Sequence, residues 1–209
     1  IPNGFDTDQF KPNQSAAKRV RHALGLRPQS VLIGLVARYD PLKGHSIFLR
    51  AAARLTNELG NVHFALVGDG AENGNGPLVE EISQLKLSNN VHLLGRRSDI
   101  EDVTAAFDVA TCASLGEGFP NVVGEAMACG IPCVVTDVGD CREIVGETGL
   151  VVTPGDPEGL AAAWETLLDE GAEHRHRRGV AARQRVQANY DLANVVNMYE
   201  ELYEELASA

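Results

Sequence analysis

The sequence predicts an α/β protein: a parallel sheet of about six strands with helices on both faces, followed by helices alone. Three observations lead there. Short apolar runs alternate with longer amphipathic ones, the order of βαβ units. The short runs are β-branched and nearly continuous, as strands covered on both faces require. The composition over 209 residues, 44% hydrophobic, 22% charged and 5% aromatic, is that of an ordinary globular chain and fits one large domain.

In chain order, the opening IPNGFDTDQFKPN carries two prolines and an Asn-Gly pair, so residues 1–14 read as the end of a linker. The first residue is Ile1 rather than Met, and the chain is expected to be a piece of a longer polypeptide. Strands are expected at VLIGLVA (31–37), VHFALVG (62–68), VHLLG (91–95), FDVATCAS (107–114), IPCVVT (131–136) and GLVVT (149–153). Between them the pattern predicts helices near 44–59, 76–87, 99–106, 121–129 and 140–146, and after them helices near 157–170, 173–189 and 191–206. From about residue 173 there is no strand. The final helix repeats Met198, Leu202 and Leu206 at four-residue spacing, an apolar stripe that either packs on the sheet edge or reaches a neighbouring domain outside the chain. The run His174 to Arg178 reads as a solvated helix turn, with a lipid-facing patch as the alternative.

Charge narrows the function. Lys plus Arg is 18 against 29 Asp plus Glu, a net charge of -11, which argues against a broad electrostatic grip on nucleic acid or an anionic membrane. An anionic ligand must then be held locally. No apolar run approaches the roughly 20 residues of a membrane span and the start lacks the zones of a signal peptide, so a cytoplasmic location is expected. Cys112, Cys129, Cys133 and Cys141 form no CxxC pair and read as buried free thiols. Asn13-Gln14-Ser15 matches a glycosylation triplet, a match short enough to arise by chance.

Ligands of parallel sheets bind outside the carboxyl ends of the strands, so the residues just after each strand are the candidates. After the first strand, Arg38 and Lys43 sit five apart, with Lys43-Gly44 opening a helix. A planar guanidinium, a mobile ammonium and free helix N–H groups suit a diphosphate, although a helix-start lysine is also common on solvated faces. After the second strand, Gly68-Asp69-Gly70 is neither a dinucleotide fingerprint nor a Walker loop; a flexible turn and a ligand contact explain it equally. The third strand ends in Gly95-Arg96-Arg97-Ser98, where backbone beside Gly95 can pair with a base edge and a guanidinium can stack on it, or Ser98 or Asp99 simply caps the next helix.

The densest stretch is SLGEGFPNVVGEA (114–126). A strand ends near Ser114, a loop with two glycines exposes Glu117, and a helix begins at about Pro120 or Asn121 with Glu125 in its first turns. Both carboxylates are expected at one end of the sheet. Carboxylates accept hydrogen bonds from sugar hydroxyls, loop amides face phosphates, and Gly118 permits close approach. The plain alternatives are a helix-dipole role for Glu125 and a solvated loop acid for Glu117.

Six segments, IPNGFDTDQFKP, ARYDPLKGH, VGDG, LGRRSDI, EGFPNVVGEAMACGIPCVVTDVGD and EIVGETGLVVTPGDPEGLAAAW, together resemble, nearly end to end and in order, the carboxyl-terminal half of the group 1 (family 4) retaining glycosyltransferases. Glu117 and Glu125 form the E-x7-E spacing of that superfamily. The resemblance implies one Rossmann-like half of a GT-B fold: a donor-binding domain over residues 1–209, its partner acceptor domain lying before Ile1 and a helical extension running from about 173. It also implies a nucleotide diphosphate sugar as donor, UDP-sugar first with GDP- and ADP-sugars as alternatives, and no prosthetic group. Arg38 and Lys43 would hold the diphosphate, Glu125 the ribose and Glu117 the sugar. Backbone at Gly118, Phe119, Asn121 and Val122 would line phosphate and sugar; Gly68, Asp69, Gly95, Arg96 and Arg97 would lie toward the base. Pro120 has no N–H to offer, so one phosphate donor found in relatives with Gly is missing here. Asp140 stands where many relatives have a second glycine after Gly139.

The implied chemistry is transfer of a hexosyl or N-acetylhexosaminyl group with retained configuration, in polysaccharide or glycoconjugate synthesis, with peripheral membrane association open to the longer protein. Arg38 and Lys43 can meet charge on the departing diphosphate without a metal; Asp6-Thr7-Asp8 spells D-x-D but precedes the first strand, in a turn. A glycosidase would leave both cations unexplained, and a dehydrogenase would need glycines that GLVARYD lacks. Two rivals stand: a module that binds nucleotide without turnover, and half of a sugar-nucleotide epimerase.

Overall fold

The computed structural model of the chain describes residues 1–208, apart from the side chains of residues 57 and 58. In order the elements are α1 (Gln14–Ala23), β1 (Val31–Val36), α2 (His45–Glu58), β2 (Val62–Val67), α3 (Gly76–Gln84), β3 (Val91–Gly95), α4 (Ile100–Thr104), β4 (Val109–Cys112), α5 (Asn121–Ala128), β5 (Cys133–Thr136), α6 (Cys141–Val145), β6 (Leu150–Val152), α7 (Pro157–Asp169), α8 (Gly171–Asn189) and α9 (Leu192–Ser208). All strand pairs are parallel, in the order β3-β2-β1-β4-β5-β6. This is the expected Rossmann-like sheet. The order reverses between β1 and β4, and a crevice opens there because the crossovers from the two strands leave to opposite sides.

Alternation along each strand builds two cores. Leu32, Ala65, Val67, Cys112 and Val135 face Val103, Val123, Met127, Ile144 and Val186 on one side. Ile33, Leu35, Phe64, Leu66 and Val134 face Phe48, Leu78, Leu160 and Trp164 on the other. Trp164 is fully buried, and its indole N–H donates to Thr111 Oγ1 at 3.0 Å, so the largest side chain of the core also satisfies its one polar atom. Gly34 in β1 is required by packing: a Cβ there would run into the Phe107 ring.

Two features differ from the sequence expectation. Helix α1 is present where none was expected; its apolar face is small, with Ala16 buried and Ala17 and Val20 partly buried against the core, and polar contacts add to it. Asn13 caps it through Ala16 N–H, and Arg21 binds Asp108 and the carbonyls of Ala106 and Ser30. Residues 1–14, read as linker, lie against the domain. Phe5 is 3% exposed, packs on Phe119 and Tyr190, and exchanges backbone hydrogen bonds with Tyr190 and Leu192 on either side of Asp191. The run 174–178 is a solvated turn of α8, with His174, His176 and Arg177 exposed; within it Arg175 caps the α7 carbonyls of Leu167 and Leu168, Arg177 pairs with Glu173, and Arg178 forks onto Glu170.

Candidate functional site

A cleft of about 320 Å3 opens where the sheet order reverses. The end of β1 supplies Val36, Ala37 and Arg38, the end of β4 supplies Thr111 to Ser114, and the following turns bring Lys43, Glu117 and Phe119 to Val122. Local sequence explains the convergence. Asp40 accepts the Leu42 N–H and caps a 3-10 turn over Pro41–Lys43, where proline's fixed φ fits the first position. Gly44 then takes φ 69°, and a Cβ there would strike the Ala113 carbonyl. The Leu115 N–H donates to Leu42 O at 2.7 Å. The Lys43 turn is thereby stitched to the segment after β4.

That stitching sets the central pair. Lys43 Nζ donates to Glu117 Oε1 at 2.6 Å, and the Ser114 hydroxyl donates to the same oxygen at 2.7 Å. The Glu117 side chain is 12% exposed and Lys43 25%, so the pair is partly shielded from water and fixed in place. Arg38 differs. Its side chain is 71% exposed, its nearest acid is Asp40 at 3.4 Å, and it lines the cleft from the exposed side. The loop between Glu117 and α5 is braced from below: Gly139, at φ 49°, lies where a Cβ would hit the Gly118 carbonyl, and the Asp140 N–H donates to that carbonyl at 2.9 Å.

Helix α5 begins at this loop with Pro120, buried and without an N–H, as its N-cap and no side chain capping its first turn. The amides at Asn121 and Val122 therefore lie at the cleft, with the helix dipole favouring negative charge there. Asn3 holds Asn121 from outside, Nδ2 to Oδ1 at 3.0 Å.

Not every candidate reaches the cleft. Glu125 lies farther along α5 and does not line it, so the two carboxylates flank the loop rather than sharing one pocket. Burial raises the Glu125 pKa above the usual carboxylate value, and among the described residues no hydrogen-bond partner for its carboxylate is found. Gly68 and Asp69 follow β2, Gly95 ends β3 and Arg96 and Arg97 follow it, along the same rim but outside the cleft lining. There the glycines do structural work. Gly68, at φ 143°, lets its chain pass the Ala37 carbonyl, Gly68 N–H donates to Gly95 O, and Tyr39 N–H donates to Asp69 O. Arg97 is clamped on Asp99 by two bonds of 2.8 and 2.7 Å, which lowers the Asp99 pKa, while Arg96 is exposed. Gly118 has open space around it, as close approach of a ligand requires.

The sequence reading missed three residues. Ser114 orients Glu117, and its place three residues earlier at a strand end was the available signal. His45, 3% exposed at the start of α2, stacks edge-on with Tyr39, has neither ring nitrogen in a well-formed hydrogen bond, and has its pKa lowered by burial. Cys112 lines the cleft, a position no spacing rule reveals. Asp6 accepts the backbone N–H groups of Asp8 and Gln9 and Thr7 bonds Asp191, so the D-x-D triplet is a turn. Among the described residues no cluster of three His, Cys, Asp or Glu is placed to hold a metal ion.

Comparison with known proteins agrees with this fold. The chain is 32% identical to the D-inositol 3-phosphate glycosyltransferase of Corynebacterium urealyticum, over 99% of this chain and 50% of that protein. Its fold superposes on Anabaena HepE, solved in complex with UDP and glucose, with a TM-score of 0.84 and 30% identity, over 99% of this chain and 56% of the other. It also superposes on the C-terminal domain of a group 1 glycosyltransferase, LpcC of Francisella tularensis, with a TM-score of 0.77 and 22% identity, covering 90% of this chain and all of that one. The chain spans about half the length of the curated relatives it matches. Residues 30–170 match the family Glycosyl transferases group 1, and with this sheet, this cleft and these relatives the chain belongs to that family, as one half of a GT-B glycosyltransferase.

Proposed function

We propose that the chain is the donor-binding half of a retaining, metal-independent glycosyltransferase that moves a hexosyl or N-acetylhexosaminyl group from a nucleotide diphosphate sugar, UDP-sugar first, to an acceptor held by a second domain. The observation that carries this reading is the meeting of Lys43, Glu117 and Arg38 on one cleft at the sheet reversal, with the free amides of α5 beside them. HepE, solved with UDP and glucose and with UDP-glucose, supports the choice of ligand class.

In this reading the diphosphate lies between Arg38, Lys43 and the start of α5. Charge that grows on the departing phosphate meets an ammonium, a guanidinium and aligned N–H groups, each charge-assisted bond contributing about 1.5–3 kcal/mol. No divalent ion is needed for that task. On donor binding Lys43 divides its hydrogens between phosphate and Glu117, and Glu117, still held by Ser114, turns its free oxygen to a sugar hydroxyl. Glu125 serves the ribose and the segment Gly95 to Arg97 the base. The longer protein works in polysaccharide or glycoconjugate synthesis in the cytoplasm, where it can meet a membrane peripherally; among the described residues no helix is long and apolar enough to cross one.

Calorimetric titration of the chain with UDP, GDP and ADP tests the reading. Binding at micromolar to millimolar ligand, with UDP tightest, is the expected result; no heat with any of the three at millimolar concentration rejects it.

A further inference from the structure

All four cysteines are buried and free, but two are paired in space. Cys112 closes β4 and lines the cleft; Cys141 opens α6; their sulfurs are 4.0 Å apart. From them a directed chain of hydrogen bonds runs into the proposed donor site. The Cys141 thiol donates to Cys112 Sγ, the Cys112 thiol donates to Ser114 Oγ at 3.6 Å, and Ser114 donates to Glu117 Oε1. A second connection leaves from the backbone: Asp140, next to Cys141, holds the Gly118 carbonyl, and Gly139 packs against the backbone of Glu117 and Gly118. The Glu117 loop is thus tied to Cys112 through Ser114 and to Cys141 through Asp140.

The other two thiols are unlike this pair. Cys129 and Cys133 donate only to backbone carbonyls and, among the described residues, have no second thiol within hydrogen-bond reach. The hydrogen bond within the pair draws the Cys112 thiol down, which favours the thiolate form that reacts with oxidants, and pushes Cys141 up.

We propose that Cys112 and Cys141 are a reversible oxidation site, joined as a disulfide by a hydroperoxide that enters through the cleft, and that the link displaces the Glu117 loop and weakens donor binding. The last clause rests on the donor-site reading above; the first does not. In the reaction the Cys112 thiolate attacks one oxygen of hydrogen peroxide, the O–O bond breaks, a sulfenic acid forms, and the departing hydroxide takes up the proton that Cys112 released and leaves as water. The Cys141 sulfur then attacks the Cys112 sulfur and expels a second water. Two S–H bonds are lost, one S–S bond forms, and two electrons pass to the peroxide. The sulfurs close by about 2 Å to reach disulfide length, which carries Cys141 and its neighbour Asp140 toward β4 and removes the thiol that donated to Ser114.

The test treats the 209-residue chain with hydrogen peroxide, alkylates the remaining thiols after denaturation, and reads intact mass and mapped peptides. Expected is a loss of about 2 Da in a single Cys112–Cys141 link, with Cys129 and Cys133 still alkylated and full reversal by dithiothreitol. Amide hydrogen exchange over residues 114–121 rises in the linked form, and UDP affinity falls roughly tenfold, the loss of one charge-assisted hydrogen bond, then recovers on reduction. Cys141→Ser, or Cys141→Ala if the first folds poorly, keeps the reduced-state affinity and loses the peroxide response. Peroxide products that lack this link, or a link that leaves exchange over 114–121 unchanged, overturn the proposal. A reduced chain that fails to bind UDP sinks the donor-site reading instead, while mass and exchange still decide the thiol link.

Discussion

Lys43 and Arg38 carry like charges in unlike settings, and the difference predicts separate outcomes. Lys43 neutralises a mostly shielded Glu117, whereas Arg38 leans on Asp40 in water. Lys43→Met should therefore cost stability, about 1–3 kcal/mol for a carboxylate left without its cation, and should weaken UDP more than uridine. Arg38→Ala should leave stability within about 0.5 kcal/mol and still lower UDP affinity, as an exposed cation lost to a phosphate does. Denaturant unfolding and calorimetry with UDP and uridine separate the two; equal losses for UDP and uridine in the lysine variant would remove it from the diphosphate.

Glu125 predicts a pH effect of opposite sign to that of a salt-bridged acid. Its folded pKa is raised above 4.5 by burial, so across the window from 4.5 up to that folded value the native state holds more proton than the unfolded chain, and stability falls as pH rises. Glu125→Gln should be more stable than the parent at neutral pH, and the two should converge below about pH 4. Thermal melts at several pH values measure this. A variant less stable than the parent at neutral pH would mean that the carboxylate has a native partner.

Among the elements, the segment before α1 shows how packing overrides a reading based on turn residues. Pro2, Asn3, Gly4 and Pro12 mark a loop correctly, yet Phe5 and Phe10 within it are buried. Gly124 in α5 leaves the space that the Phe5 ring fills; a Cβ there would strike the ring. Since Phe5 also stacks on Phe119 at the cleft, with centroids 5.9 Å apart, this strand of chain braces the wall of the site. Phe5→Ala should cost about 3–5 kcal/mol, the range for a buried ring, and should raise hydrogen exchange at Phe119 to Val122. An unchanged unfolding midpoint would show the segment to be only loosely applied. Helix α1 was illegible for a related reason. Its apolar face is made of few, small residues, Ala16, Ala17 and Val20, and the Arg21 and Arg19 contacts to Asp108 and Asp102 that add to it join distant segments of the chain.

At the scale of the molecule, the chain presents half of a cleft. Val195 is the only apolar residue of α9 buried among the described residues, while Met198, Leu202 and Leu206 are 41%, 39% and 65% exposed, so the stripe seen in the sequence is not spent on the sheet edge. In the proposed function acceptor binding and water exclusion fall to a second domain outside these residues, a reading that relatives twice as long support. The chain alone should bind UDP-sugar and release no UDP in the presence of sugar acceptors, as a coupled assay for free UDP would register. Steady acceptor-dependent release from the chain alone would contradict the two-domain reading.

Strand positions, the parallel sheet and the rim at which the cleft opens were readable from residue order, because buried strands need continuous β-branched runs and crossovers place every loop after a strand at one rim. So was the placing of Arg38, Lys43 and Glu117 on that rim. What had to wait for the folded chain was which rim residues meet. Strand order, not sequence order, puts β1 beside β4, so Lys43 reaches Glu117 74 residues away, while Gly68 and Gly95 go to the far side of β1 and Glu125 stays farther along α5. The docking of Phe5 and the closeness of Cys112 to Cys141 belong to the same class, contacts between distant segments that leave no periodic trace along the chain.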